Sequence, residues 1–380
     1  MAGDPGFGKR DRLPVILDVD TGIDDALALL YACASPEIDL LAVTCVAGNV
    51  PLEAVVANTL AVLELAGRGD VPVHAGADRP LVKSLTTTEE THGPEGIGYA
   101  IRPGASAVAA KGSAAGAIVE IARRRPRSVH LVTLGPMTNL ALALEVEPRL
   151  PSLLRRWTFM GGAFRGSGNT TPTSEWNVHV DPDAAKACLA AWGTAMAIDV
   201  AVPPPIGIGL EVTEQARLTR GAVAGMARHA GAAEGDAAAL DRADPATAML
   251  PIGSVGANGV LRFVVDALRF YFEFHAAYDG FYGAFIHDPF VVAATVDPSL
   301  IKTRSVFVDI ETGPGLAHAM TIADWRGITG RPANVAVGVT GDAATFLDRL
   351  VDRIGDLAGR DEAPALPQGS RLNQPPPGPA

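Results

Sequence analysis

The chain has 380 residues, 48% hydrophobic and 19% charged, a composition that builds a sizeable core and excludes a mainly disordered protein. Asp and Glu number 42 against 31 Lys and Arg, a formal net charge of -11. Without a positive surface, general binding to nucleic acid or to an anionic membrane is excluded. Cys33, Cys45 and Cys188 are an odd count without CxxC spacing, which excludes a disulfide scaffold and predicts reduced thiols. No apolar run approaches the ~20 residues of a membrane helix, and the N-terminus lacks an apolar signal core. A soluble, cytoplasmic protein is expected.

In chain order, residues 1–12 read as a disordered N-terminus. Short β-branched runs then alternate with Ala/Leu-rich helical patterns, the rhythm of an α/β fold with an open, mostly parallel, Rossmann-like sheet flanked by helices. Strands are predicted at 15–19, 40–46, 71–74, 128–134, 157–160 and 195–199. Helices with an i, i+3, i+4 apolar stripe are predicted at 24–34, 52–66, 112–125, 136–145 and 183–192. Residues 211–279 read as a helical cap or insertion, with a flexible loop at 231–245. A helix at 288–294, strands at 305–310, 320–323 and 335–339, and a closing helix at 343–356 complete a single domain over 13–358. The Pro-rich tail, 359–380, reads as disordered.

The polar clusters follow predicted strands, where open α/β sheets place their ligand crevices. The first, DVDTGIDD at 18–25, holds Asp18, Asp20, Asp24 and Asp25. Carboxylates this close repel one another unless a cation or a helix N-terminus compensates. Capping accounts for Asp24 and Asp25 but leaves Asp18 and Asp20, and a hard divalent ion would account for all four. Gly22 breaks both the EF-hand pattern and the DxDx[TV] phosphatase pattern. The second cluster, MGGAFRGSGNTTPTSEWNVHVDP at 160–182, offers Asn169, Glu175 and Asn177, groups suited to sugar hydroxyls. Asp181 with Pro182 reads as a helix cap. In the third, His287-Asp288-Pro289, capping by Asp288 competes with a functional role. His92 lies in a glycine-bearing loop, THGPEGIG.

Taken together and in this order, DVDTGIDD, AGN at 47–49, HGPEGIG from His92, LGPMTN at 134–139, MGGAF at 160–164, GN at 168–169, SEWNVHVDP and HDP at 287–289 resemble the nucleoside hydrolase family, over roughly 14–356. The resemblance implies that family's fold, a bound Ca2+, and hydrolysis of the N-glycosidic bond of ribonucleosides to free base and ribose. It implies Asp20, Asp25, Asp288 and the main-chain carbonyl of Leu134 as Ca2+ ligands, with Asp20 also taking a proton from the attacking water. Asp24, Asn177 and Asp288 would hold the 2'- and 3'-hydroxyls, and Asn169 and Glu175 the 5'-hydroxyl. Asn49 would lie near the water and the sugar, Met160 under the ribose, and Asp18 behind the ligands. His287 would protonate or hydrogen-bond the leaving base, with His92 nearby.

The chain departs from many members at Thr21 (commonly Pro) and Trp176 (commonly Phe). No Trp near His92 or within 279–287 could sandwich a purine, which counts against a strictly purine-preferring enzyme. The expected partner is a small-molecule nucleoside, with no nucleic acid or membrane, and the family commonly forms dimers or tetramers. Two other readings compete: a metal-dependent phosphohydrolase, short of cations apart from Arg165, and a catalytically silent nucleoside- or sugar-binding protein.

Overall fold

The computed structural model describes residues 12–242 and 258–360. The predicted disordered ends lie outside these residues, apart from Arg12, Gly359 and Arg360. The strands are β1 (Leu13–Val19), β2 (Ile38–Cys45), β3 (Val73–Ala75), β4 (His130–Thr133), β5 (Arg156–Met160), β6 (Ile206–Ile208), β7 (Arg217–Leu218), β8 (Ala284–Phe285), β9 (Ile301–Val306), β10 (Val308–Ile310), β11 (Thr321–Ala323) and β12 (Val335–Gly341). Eight form one sheet in the order β3-β2-β1-β4-β5-β6-β12-β9. Neighbours pair parallel except β9, which runs antiparallel on β12. From β1 the chain winds outward to β2 and β3, then returns to the other side of β1 for β4, β5 and β6. The switch point between β1 and β4 opens a crevice at their carboxyl ends.

Alternation along β1 sends Val15, Leu17 and Val19 into one core layer and Ile16 into the other. Both faces of the sheet are therefore covered, and the strand reads as a continuous apolar run. In the second layer Trp157 packs against Trp192 with ring centroids 4.6 Å apart and donates its indole N–H to Thr133. The first helix, Ile23–Ala34, is buried along its whole length apart from Cys33. It packs between the helices Asp288–Val296 and Ala343–Ala358, so the predicted one-sided stripe is replaced by an apolar surface all round. Among the described residues no helix is long and apolar enough to cross a membrane.

Three predicted elements differ. Residues 195–199 are not a strand: the helix Pro182–Ile198 runs through them, Ile198 is 82% exposed, and Asp199 ends it. A short apolar run reads equally as strand or helix end, and the sheet strand begins instead at Ile206, after the prolines 203–205. The predicted strand 305–310 is two strands, β9 on β12 and β10 on β11, broken at Phe307. Of the loop 231–245, residues Glu234–Arg242 are helical, as their Ala-rich composition favours, and 243–245 lie outside the described residues.

Candidate active site

The β1/β4 crevice is built around the loop that leaves β1. Asp25, in the first turn of the helix Ile23–Ala34, accepts hydrogen bonds from the backbone N–H of Gly22 at 2.9 Å and of Asp20 at 3.2 Å, and from Asn49 Nδ2 at 3.2 Å. It thereby folds the loop back on its own helix. Asp20 accepts the Asn49 backbone N–H at 2.8 Å. Two glycines press against its carboxylate: a Cβ at Gly48 would collide with Oδ2, and one at Gly135 would lie 2.7 Å from Oδ1. Beneath it, Asp18 accepts from Thr44 at 2.5 Å and Asn139 at 2.8 Å, tying β1 to β2 and to the helix after β4.

The loop after β5 supplies the next groups. Glu175 accepts the N–H groups of Gly162, Asn177 and Val178 at 2.9, 2.8 and 3.1 Å. Capping of the helix Trp176–Val180 thus accounts for Glu175, as it does for Asp181, which caps Pro182–Ile198 through Ala184. Asn177 donates to the Leu134 carbonyl at 2.5 Å and lies 3.3 Å from Met160 Sδ. Asn169 accepts the Trp176 N–H at 3.0 Å. The capping expected of Asp288 is not found: His287 is the N-cap of Asp288–Val296, and its side chain makes no cap bond. Asp288 is left facing the other carboxylates.

These residues converge on one cavity of about 500 Å³. Asp20, Asp24, Asn49, His92, Leu134, Met160, Asn169, Glu175, Asn177, His287 and Asp288 all line it, and Asp25 lies beneath. Asp24, Asp25 and Asp288 bring one oxygen each within 4.8 Å of one another. The triple brought together thus contains Asp24 where the sequence reading expected Asp20, which lines the same cavity outside that triple. Burial, then repulsion from Asp25, pushes the Asp24 carboxyl up to about 8. Burial pushes Asp18 to about 7 and raises Asp25, while burial with mutual repulsion raises Asp20 and Asp288 well above the carboxylate range. Such a set cannot all be ionised without a counter-charge. The donors are all oxygen, which fits a hard divalent cation.

The other end of the cavity is aromatic. Burial and neighbouring histidines push His92 and His287 down to about 3, so both are neutral imidazoles at physiological pH. His92 Nδ1 accepts the Ile23 N–H at 3.1 Å, which fixes its proton on Nε2. His287 Nδ1 lies 2.8 Å from the Thr213 hydroxyl. Sequence reading missed Tyr271, Phe274, His275, Tyr278 and Asp279, which line this end from the helix Gly259–Tyr278 and its cap. Tyr271, His275 and Asp279 are spaced i, i+4, i+8. Polar and ring-bearing residues on one face of an apolar helix were the available signal. Among the described residues no Lys or Arg lines the cavity. Arg165 instead stacks over Trp325 at 3.9 Å, which removes the support for a phosphohydrolase.

An open α/β sheet whose switch-point crevice is floored with carboxylates and walled with aromatics is an enzyme pocket for an uncharged, hydroxyl-bearing ligand. A family model described as inosine-uridine preferring nucleoside hydrolase matches residues 15–348. The pyrimidine-specific ribonucleoside hydrolase RihA of Salmonella paratyphi C is 33% identical over 343 residues, covering 90% of this chain and 98% of the relative. An uncharacterised protein of Schizosaccharomyces pombe is 34% identical over 346 residues, 91% of this chain and 100% of its own length. Among solved structures, a purine-preferring ribonucleoside hydrolase from Gardnerella vaginalis superposes with a TM-score of 0.77 at 29% identity, covering 91% of this chain and 99% of the other. The chain belongs to the nucleoside hydrolase family, whose members are hydrolases of N-glycosyl bonds.

Two outcomes test this geometry. Gly48→Ala, which drives a methyl into Asp20, is expected to lower kcat/KM on nucleosides by roughly 100-fold or more while the protein stays folded; unchanged turnover would show that Asp20 need not sit where the glycines hold it. The second concerns pH. Asp24 titrates at about 8 in the fold against its ordinary 3.8, so between those values the folded chain binds more protons than the unfolded one and stability falls as pH rises. Chelator-stripped protein is expected to melt lower at pH 8 than at pH 5, with added divalent cation raising the melting temperature more at pH 8. A flat or rising profile for the stripped protein would contradict the charge arrangement.

Proposed function

We propose that this protein is a Ca2+-dependent ribonucleoside hydrolase that releases free base and ribose. The observation that carries the reading is the division of one cavity into a carboxylate and amide end, suited to ribose hydroxyls, and an aromatic, histidine-bearing end, suited to a planar base. Asp20, Asp25, Asp288 and the Leu134 carbonyl would hold the ion, which when bound supplies the positive charge the carboxylates need and polarises an attacking water.

The remaining work belongs to the chain's own groups. Asp20, beside the Asn49 amide, accepts a proton from water as it adds to C1'. Asp24, Asp288 and Asn177 hold the 2'- and 3'-hydroxyls, Asn169 and Glu175 hold the 5'-hydroxyl, and Met160 underlies the ring. Hydrogen bonds to these non-reacting hydroxyls let binding energy maintain a distorted ribose. The N-glycosidic bond breaks with its electron pair passing to the base, and the surrounding carboxylates stabilise the positive charge that develops on the sugar. His287 and His92 face the base. As a neutral imidazole whose Nδ1 lies at the Thr213 hydroxyl, His287 hydrogen-bonds the departing nitrogen through its other ring nitrogen, and the proton the base finally takes comes from solvent water.

The same reading takes residues 13–358 as one catalytic domain with a helical insertion at 211–279. It expects a cytoplasmic homo-oligomer, dimer or tetramer, working in purine and pyrimidine salvage. A silent nucleoside-binding protein would keep the pocket without turnover. A reducing-sugar assay on a panel of nucleosides, with and without chelator, separates the two. Ribose release abolished by chelation and by Asp20→Asn is the expected result; tight nucleoside binding with no ribose from any of them would overturn the reading.

A further inference from the structure

At the opposite end of the sheet from the crevice, a second cavity of about 260 Å³ opens among the residues that lead into β4, β5 and β6. Arg127 lies just ahead of β4, Arg155 and Arg156 stand at the start of β5, and the segment 201–203 precedes β6. All three arginines line the cavity, and among the described residues no carboxylate does. Neighbouring arginines are each paired: Arg125 with Asp39, Arg123 and Arg149 with Glu147, and Arg124 with Glu120. At the cavity Arg127 has Asp199 Oδ2 at 3.2 Å, and the other oxygen of Asp199 accepts the Ala201 N–H. Among the described residues no carboxylate pairs with Arg155 or Arg156. Their charge is felt locally. Burial and then Arg155 lower Arg156 from the ordinary guanidinium value, and burial, then Arg156 and Arg155, push His130 down to about 4. His130 stands opposite Arg156 in the sheet register, with its Nδ1 buried and without a hydrogen-bond partner. Arg127 adds a backbone cost, since its φ of 58° is a left-handed conformation that glycine adopts more easily. Its N–H donates to the Leu153 carbonyl at 2.6 Å, which fixes it against the turn carrying Ser152.

We propose that this cavity is a binding site for a soluble phosphate monoester, held as its dianion by Arg127, Arg155 and Arg156. The charge balance matches a dianion: one of the three guanidiniums is offset by Asp199, which leaves two positive charges facing the ligand. The shape matches as well. A guanidinium presents a planar fork of N–H donors, and a tetrahedral phosphate can meet forks from several directions, whereas a carboxylate offers its two oxygens in one plane. Arg156 is half-buried while Arg127 and Arg155 are exposed, so the bond to Arg156 is the least screened by solvent. Ser152 lines the cavity with a hydroxyl for the organic part of the ester, and Pro151 and Pro203 give it a rigid apolar wall. The site is separate from the active-site cavity, so the proposal goes beyond the hydrolase reading and does not depend on it. The carboxyl ends of the strands gather acids for a cation, and the amino ends gather bases for an anion.

The test titrates inorganic phosphate and glycerol 3-phosphate calorimetrically into the full chain at pH 8 and constant ionic strength, before and after removal of divalent cations. Saturable binding of one anion per chain is expected, with glycerol 3-phosphate at least as tight as phosphate and neither affected by removing the cation. Arg155→Gln combined with Arg156→Gln is expected to weaken binding by roughly tenfold or more. Arg127→Gly, which keeps the left-handed turn and removes the guanidinium, is expected to weaken it by a smaller factor because that residue is exposed. Arg124→Gln, which removes a paired arginine outside the cavity, is expected to change affinity by less than about twofold. No saturable binding, or equal weakening by Arg124→Gln, would overturn the proposal. Binding lost with the divalent cation would also overturn it, by placing the phosphate on the active-site ion. Binding of inorganic phosphate alone would exclude the ester, and capture by phosphatidic acid vesicles without binding of either soluble anion would contradict a soluble ligand.

Discussion

The structure depends on the burial of several carboxylates at the point where the sheet reverses its winding. Asp20, Asp24, Asp25 and Asp288 are all buried within reach of one another. Desolvation disfavours every one of these charges and their mutual repulsion disfavours them further. The arrangement persists because the backbone is shaped around it. Asp25 is tied to the loop N–H groups of Asp20 and Gly22, Asp20 is wedged by Gly48 and Gly135, and Asp288 is brought in on a separate helix whose cap is its neighbour His287. Each is a local cost that makes sense when a cation and a polyol occupy the site.

The same constraint organises the cavity. Acids and amides from the ends of β1, β4 and β5 make one end polar, while the helix Gly259–Tyr278 and the strand β8 bring rings and imidazoles to the other. Burial acts with opposite sign at the two ends, raising the carboxyls and lowering His92 and His287. Without a counter-charge both kinds of group are held nearer neutrality; a bound cation would restore the ionised carboxylates and leave the imidazoles neutral. The overall charge of -11 and the absence of Lys and Arg from the lining among the described residues work against a phosphorylated ligand.

Much of this was legible in the sequence, and the remainder was hidden for identifiable reasons. DVDTGIDD stands out because four acids so close demand an explanation, and the order of the motifs located Asn49, Leu134, Asn169 and Asn177. Every sequence-predicted site residue lies at or beneath the cavity. The role of Glu175 as a cap was not legible, since Glu, unlike the Asp at 181, is not among the residues that usually cap helices. Residues 195–199 misled because Ala-Met-Ala-Ile fits a helix end as well as a strand. Tyr271, His275 and Asp279 were overlooked because a ring on an Ala- and Phe-rich helix reads as core, and only their four-residue spacing marks a shared face.

Calorimetric titration of Ca2+ into chelator-stripped protein at pH 7, in two buffers of different ionisation enthalpy, decides whether the buried carboxylates form a cation site. One ion per chain and net proton release on binding are expected, because carboxyls raised by burial must give up protons to become ligands. Binding with no protons released, or no binding at all, would contradict such a site.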